Sequence, residues 1–376
     1  MIKVLIKGPI FSRSGYGEHT RYMYRALDSR PDLFDIFVHP TNWGQSSWNF
    51  DSSEETLKVQ HCVNKLAQFN GRFDVSLQVL IPNEWENLAE KNIGVTAAIE
   101  TTYASAQWVY NSNFMDKIFV TSEHAKSTLA NPSHTIQTED GTQHTLKLSK
   151  PVSVVSYPFR DIEIDQTSYD KIKLDTKFNF LTCAQVGPRK NLMNTIRWFV
   201  EEFRDEEDIG LVVKAHHINN SILDRNKVKM MLSQAVHGVP HRKCRVFLIH
   251  GNMTDEEMNS LYKHPNIHAY ATITHGEGFG LPIFEAACSG LPVIAPAWSG
   301  QVDFLYDQVK NKKSGRVKRT PMFTKVKYKL DKVPKEAVWE NVIEADSEWC
   351  YADEASYKKA LRSTVEAHKS RKSQAT

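Results

Sequence analysis

The sequence has no run of 18 apolar residues, so it offers no candidate for a membrane-spanning helix. It has no Cys-x-x-Cys pair either. Its five cysteines, at positions 62, 183, 244, 288 and 350, show neither metal-ligand nor disulfide-framework spacing. A structural zinc site and a disulfide-stapled scaffold are thereby disfavoured, and a reduced, cytoplasmic chain is expected. An excess of one charge is also missing. The 47 Lys and Arg against 44 Asp and Glu leave a net charge of +3, which gives no global argument for nucleic-acid binding. The opening Met1-Ile2-Lys3-Val4-Leu5-Ile6 is too short for a signal peptide and reads as a first strand. The loop after it, Ser14-Gly15-Tyr16-Gly17, lacks the full G-x-G-x-x-G spacing, so dinucleotide binding is not indicated.

What is present is an α/β pattern long enough for two domains at 376 residues. Apolar strand-like runs at residues 2–8, 34–40, 74–80, 94–100, 117–122 and 152–158 alternate with helical spacing at 18–27, 54–69, 104–110 and 123–129. A polar hairpin is expected at 134–148, turning at Asp140-Gly141. Residues 160–177 are polar and read as a linker. The pattern resumes with strands at 178–185, 210–216, 245–251, 267–273 and 291–295. Helices are expected at 192–203 and from the Thr254–Glu257 capping box to Tyr262, then at 334–345 and 353–369. Alternation of this kind predicts doubly wound parallel sheets, with ligands at the carboxyl ends of the strands.

The most informative stretch runs from Thr274 to Asp303. A glycine loop, Gly276-Glu277-Gly278-Phe279-Gly280, follows an apolar strand. Leu281 and Pro282 then open a helix that stops at Gly290. Glycines let a ligand approach the backbone, and a helix start offers unpaired N–H groups to an anion. Two carboxylates, Glu277 and Glu285, stand eight positions apart where they can accept hydrogen bonds from hydroxyls. A molecule with both hydroxyls and phosphates is a sugar nucleotide. Arg189 and Lys190, between a strand end and a helix start, stand where an anion is welcome. Lys214 near the end of an apolar strand is hard to explain by packing, because an unpaired buried charge is costly.

This arrangement resembles the E-x7-E signature of family 4 retaining glycosyltransferases with the GT-B fold. The resemblance is specific over 274–303, and its pattern extends over most of the chain. It implies two Rossmann-like doubly wound domains facing across a cleft: residues 1–160, to which a final helix at about 353–369 returns, and residues 176–350. It implies a nucleoside diphosphate sugar of UDP or GDP type as co-substrate, with no cofactor and no metal. Glu277, Lys190 and Glu100 are the implied catalytic residues. Gly15, Gly17, Arg189, Lys190, Lys214, Glu277, Gly278, Phe279, Gly280, Leu281 and Glu285 are the implied donor-binding residues. Lys190 matches a diphosphate-binding lysine, Glu285 a ribose-binding carboxylate and Glu277 a group that binds the transferred sugar.

Two departures stand out. Glu100 takes a place where many members have a histidine, and Cys183-Ala184-Gln185 takes a place where they have an arginine; Lys214 is the candidate to supply that charge. Asp-x-Asp does not follow an apolar strand, and Asp161-Ile162-Glu163-Ile164-Asp165 lies in the linker, so a metal-dependent mechanism is not expected.

The acceptor is not encoded: glycan, lipid-linked glycan and modified nucleic acid all remain open. Trp43, Trp48 and Phe50 offer aromatic faces for it. Residues 310–335 carry eleven Lys and Arg against Asp331 alone, read either as a solvated surface insertion or as a contact for an anionic surface. Competing readings are a glycoside hydrolase using Glu277 and Glu285, a transferase acting on modified DNA or another anionic polymer, and a non-catalytic binding module on the same scaffold.

Overall fold

The computed structural model describes residues 1–49, 51–137, 141–310 and 317–375. Phe50, Asp140 of the expected turn, and residues 311–316 of the basic run lie outside the described residues. The chain forms two compact units. One comprises Met1–Pro158 with Lys332–Ser347, the other Phe159–Asp331 with Glu348–Thr376.

In the first unit six parallel strands lie in the order Phe34–Pro40, Ile2–Gly8, Phe73–Val79, Ala89–Thr96, Lys117–Val120 and Val152–Val154. Short apolar runs such as Val4-Leu5-Ile6 suit strands buried on both faces. Four helices, Gly15–Asp28, Glu54–Ala67, Ala106–Ser112 and Glu123–Ala130, each begin at a serine. Ser14, Ser53, Ser105 and Ser122 accept hydrogen bonds from the main-chain N–H groups of Gly17, Thr56, Trp108 and Ala125. Strand order reverses between Ile2–Gly8 and Phe73–Val79, and the Gly15–Asp28 helix starts just beyond that point.

In the second unit the order is Arg245–Ile249, Ile209–His216, Phe178–Gln185, Ala269–Ala271, Val293–Pro296 and Thr324–Val326, again all parallel. Counted in chain order this is 3-2-1-4-5-6, the dinucleotide-fold arrangement, whose switch point falls between Phe178–Gln185 and Ala269–Ala271. The loops that leave these two strands, 186–191 and 272–280, carry Lys190 and Glu277. The topology thus brings the two stretches together although they lie far apart in the chain.

Four expectations are corrected. The last helix, Glu354–Ala375, belongs to the second unit: Tyr357, Ala360, Leu361 and Val365 are buried in that unit's core, and Arg362 bonds Glu202. Residues 334–345 are not a helix. Only a short turn, Lys335–Ala337, forms, because Asn341 takes a left-handed φ of 61° while Val342 packs into the first unit's core and Ser105 Oγ bonds the Asn341 carbonyl. The fourth strand of the first unit runs from Ala89 and stops at Thr96, since Ala98 is left-handed (φ 53°); Glu100 therefore sits in a loop and does not end a strand. The polar stretch 160–177 contains a helix, Gln166–Lys171, capped by Asp165 and fastened to the Asp255–Tyr262 helix through Ser260 and Glu257.

Candidate active site at the switch point of the second unit

Glu277 is buried, yet it carries charge, because its loop delivers it to two cations. Lys190 Nζ donates to both carboxylate oxygens at 2.7 Å, and Arg189 Nη1 lies 3.4 Å from Oε2. Burial alone would raise the Glu277 pKa; the charges of Lys190 and Arg189 outweigh it and hold the carboxyl below its usual range. Arg189 also donates to the Gly276 carbonyl at 2.6 Å. Asn191, left-handed at φ 50°, ends the first loop and donates to the Ile273 carbonyl at 3.1 Å. The two loops are therefore cross-linked by side chain and main chain together.

A third loop holds the glycine loop from behind. Glu277 N–H donates to Ser299 Oγ at 2.9 Å, Gly300 N–H donates to the Glu277 carbonyl at 2.9 Å, and Ser299 Oγ donates to Gln301 at 2.9 Å. A Cβ at Gly300 would stand 2.2 Å from the Gly278 carbonyl oxygen, so only glycine permits this approach. Gly280, at φ +94°, turns the chain into the Leu281–Cys288 helix, where Pro282 has no N–H to satisfy and the Ile283 and Phe284 N–H groups both bond the Gly280 carbonyl at 2.9 Å. The Phe279 ring packs on Phe284 and Phe304.

Glu285 lies on the helix that follows. Tyr262 donates to its Oε2 at 2.9 Å. Tyr270 sits close enough to both Glu277 and Glu285 to feel their charges, though burial is the main reason its hydroxyl pKa is raised. Lys214 pairs in register with Cys183 across the neighbouring strands, and its ammonium donates to the Gly251 carbonyl at 2.6 Å. Burial pushes the Cys183 thiol up to about 12, while Tyr262 and Lys214 pull it down and Glu285 pushes it further up. Tyr262, Lys214 and Glu285 thus all act on Cys183. The lysine stands opposite the residue that replaces the expected arginine.

Of the expected donor-side residues, Arg189, Lys190 and Glu277 share one contact network with Gly278 to Leu281 following in the chain, Glu285 bonds Tyr262, and Lys214 pairs in register with Cys183. Tyr262, Tyr270, Asn191 and Ser299 complete these networks. Of these four only Ser299 falls within the Thr274 to Asp303 stretch that the sequence marks out.

Gly15, Gly17 and Glu100 lie in the first unit. Gly17 is required by space: a Cβ there would be 2.0 Å from the Ser12 carbonyl oxygen, whereas one at Gly15 would meet nothing within 4 Å. Between them Tyr16 bonds Thr96 at 2.7 Å and stacks on Trp43 at 4.1 Å. Burial raises the pKa of Tyr16 and of Tyr157, and the charge of Glu100 adds to both, so Glu100 shares this neighbourhood. Trp48 is more than half exposed and stacks on Phe11.

No protein-family model matches the chain, and no curated protein matches it. Solved structures do match. HepE from Anabaena in complex with UDP-glucose is 13% identical, with a TM-score of 0.55 over 83% of this chain and 85% of that one. The trehalose-6-phosphate synthase OtsA is 9% identical, with a TM-score of 0.52 over 81% and 86%. At these identities the likeness is one of fold: two α/β units with parallel sheets, the GT-B fold class.

Proposed function

We propose that the chain is a retaining glycosyltransferase of the family 4 type, which moves a sugar from a nucleoside diphosphate sugar to an acceptor hydroxyl without a metal ion. The observation that carries this reading is the Lys190–Glu277 pair at the switch point, 2.7 Å apart and next to a glycine loop that opens a helix. A diphosphate needs cations and N–H groups; a sugar needs a carboxylate. This site offers both from adjoining loops. A hydrolase has no use for the anion-binding half.

The roles follow from the chemistry. The Gly278, Phe279, Gly280 and Leu281 amides hold the diphosphate at the helix start. Lys190, with Arg189 beside it and Lys214 opposite Cys183, meets the charge that grows on the leaving group. Pre-placed groups of this kind are each worth roughly a hundred- to a thousandfold in rate. Glu277 accepts hydrogen bonds from the transferred sugar and Glu285 from the ribose. The acceptor oxygen attacks the anomeric carbon from the face that the diphosphate leaves. Its proton passes to a donor phosphate oxygen as the old C–O bond breaks, so the configuration is retained. Gly15 and Gly17 are assigned to the donor, and Glu100 to the catalytic residues.

HepE has been seen with UDP-glucose, so UDP-glucose is the first donor to try, followed by GDP- and ADP-sugars. A bound donor at about 100 times its Kd raises native stability by about 2.7 kcal/mol. The wild-type melting midpoint is expected to rise with one of these donors, Lys190→Ala and Glu277→Ala to lose both the rise and turnover, and the product to keep the donor's anomeric configuration by NMR. If every nucleotide sugar leaves the midpoint unmoved, or both variants turn over like wild type, the reading fails. An inverted product sinks the same-face step.

A further inference from the structure

The positive charge of this chain is concentrated in one stretch of the sequence. Residues 310–335 hold a surplus of ten basic side chains in a chain whose total surplus is three, so the rest of the molecule is net acidic. In the second unit, the described part of the run is laid out on extended segments. Val317–Pro321 pairs antiparallel with Tyr306–Lys310, Thr324–Val326 is the outermost strand of the six-stranded sheet, and Tyr328–Lys332 follows. Lys318, Arg319, Lys325, Lys327 and Lys329 are all exposed. Val326 is buried between Lys325 and Lys327, so the pleat turns both ammonium groups to solvent, about 7 Å apart along the chain.

Arg319 donates to the Val302 carbonyl and lies over the Tyr306 ring, and Lys329 pairs with Asp331 at 2.7 Å. Among the described residues, Lys318, Lys325 and Lys327 have no carboxylate within ion-pair distance. Lysine on an edge strand guards against sheet-to-sheet association, which accounts for Lys325. It does not account for Lys318 on the hairpin, nor for an imbalance that leaves the remaining surface acidic.

We propose that this ribbon docks the phosphate backbone of a double-stranded nucleic acid. Cations at a regular pitch along extended chain suit a polymer whose charges are themselves regularly spaced. A membrane surface is better served by a helix with one apolar face, and these charges are carried on strands. The remainder of the chain carries a net negative charge, which favours approach of a polyanion from the side of the basic run. The docking stands by itself; the further assignment, that the acceptor hydroxyl belongs to the nucleic acid, rests on the transferase reading.

The test is fluorescence anisotropy of the full chain with a labelled duplex of about 30 base pairs, without donor, across about 50–200 mM salt. Wild type is expected to bind with an affinity that falls steeply as salt rises. Each lost phosphate contact takes about 0.9 from the logarithmic slope, so Lys318→Ala/Lys325→Ala/Lys327→Ala together are expected to flatten it by about 2.7. The matching triple Arg variant is expected to keep the wild-type slope. Absence of duplex binding at low salt, an unchanged slope in the triple Ala variant, or binding to phosphatidylserine-containing vesicles but not to duplex would overturn the proposal. The UDP-sugar melting shift is measured on the same proteins. A shift kept while docking is absent sinks the docking alone; docking kept while every shift is absent sinks the transferase reading alone.

Discussion

His19 is 1% exposed, and neither of its ring nitrogens has a hydrogen-bond partner. Its ring stands edge-on to Tyr157 at 4.9 Å, and burial pushes its pKa down to about 3. Above about pH 6.5 the side chain is neutral in both folded and unfolded chains, and it contributes nothing to pH dependence. Below that value the unfolded chain takes up a proton that the folded chain refuses. The first unit therefore loses about 1.4 kcal/mol per pH unit from this residue alone until the folded pKa is reached. His19→Phe is expected to remove that slope, read as urea unfolding at pH 7, 6 and 5; an unchanged slope would show that the proton is taken up elsewhere. Nothing in the sequence marks His19, because a histidine on an amphipathic helix looks the same whether it faces solvent or Tyr157. Lys190 and Glu277 were legible for the opposite reason: each stands at a strand-to-helix junction, where a charged side chain has few structural uses. Tyr262 was not, since its role comes only from where its helix lays it against Glu285.

Among the elements, the loop clamp at Gly300 gives the clearest prediction. Gly300→Ala would push a methyl group into the Gly278 carbonyl and pull the glycine loop off Ser299. The expected cost is about 1–3 kcal/mol, together with loss of the donor-induced melting shift. Gly238→Ala is the control, because its Cβ meets nothing within 4 Å and it follows the Ile222–His237 helix, outside the site; equal losses in both variants would refute the steric argument. The Leu281–Cys288 helix was legible because Gly280, Pro282 and Gly290 mark its ends, and Ser122 and the Thr254–Glu257 box mark two others. Residues 334–345 misled because their spacing suits a helix in isolation. In the folded chain the segment instead gains more by burying Val342 and leaving Asn341 left-handed. Local pattern cannot foresee a competition that long-range packing decides.

For the molecule as a whole, two α/β sheets could be read from the alternation of apolar runs, but strand order could not. The order depends on which runs become neighbours, and the same alternation fits both arrangements found here, 2-1-3-4-5-6 and 3-2-1-4-5-6. Membership of the units was equally hidden. Leu361 is fully buried in the second unit. Leu361→Ala is expected to cost about 2–5 kcal/mol there, to lower the temperature at which the second unit melts, and to leave the unfolding of the first unit in place. Scanning calorimetry with and without UDP-sugar checks this; a change confined to the first unit's transition would contradict the assignment of the last helix.

Residues 332–347 belong to the first unit although nearly all of the second precedes them in the chain. A growing chain leaving the ribosome therefore cannot finish its first unit when Pro158 emerges. Val342 and its neighbours arrive roughly 190 residues later, on the order of ten to forty seconds at ordinary rates of synthesis. During that wait the core cluster that includes Trp85, Ile99 and Trp108 lacks Val342. The half-made first unit is the species that chaperones would meet.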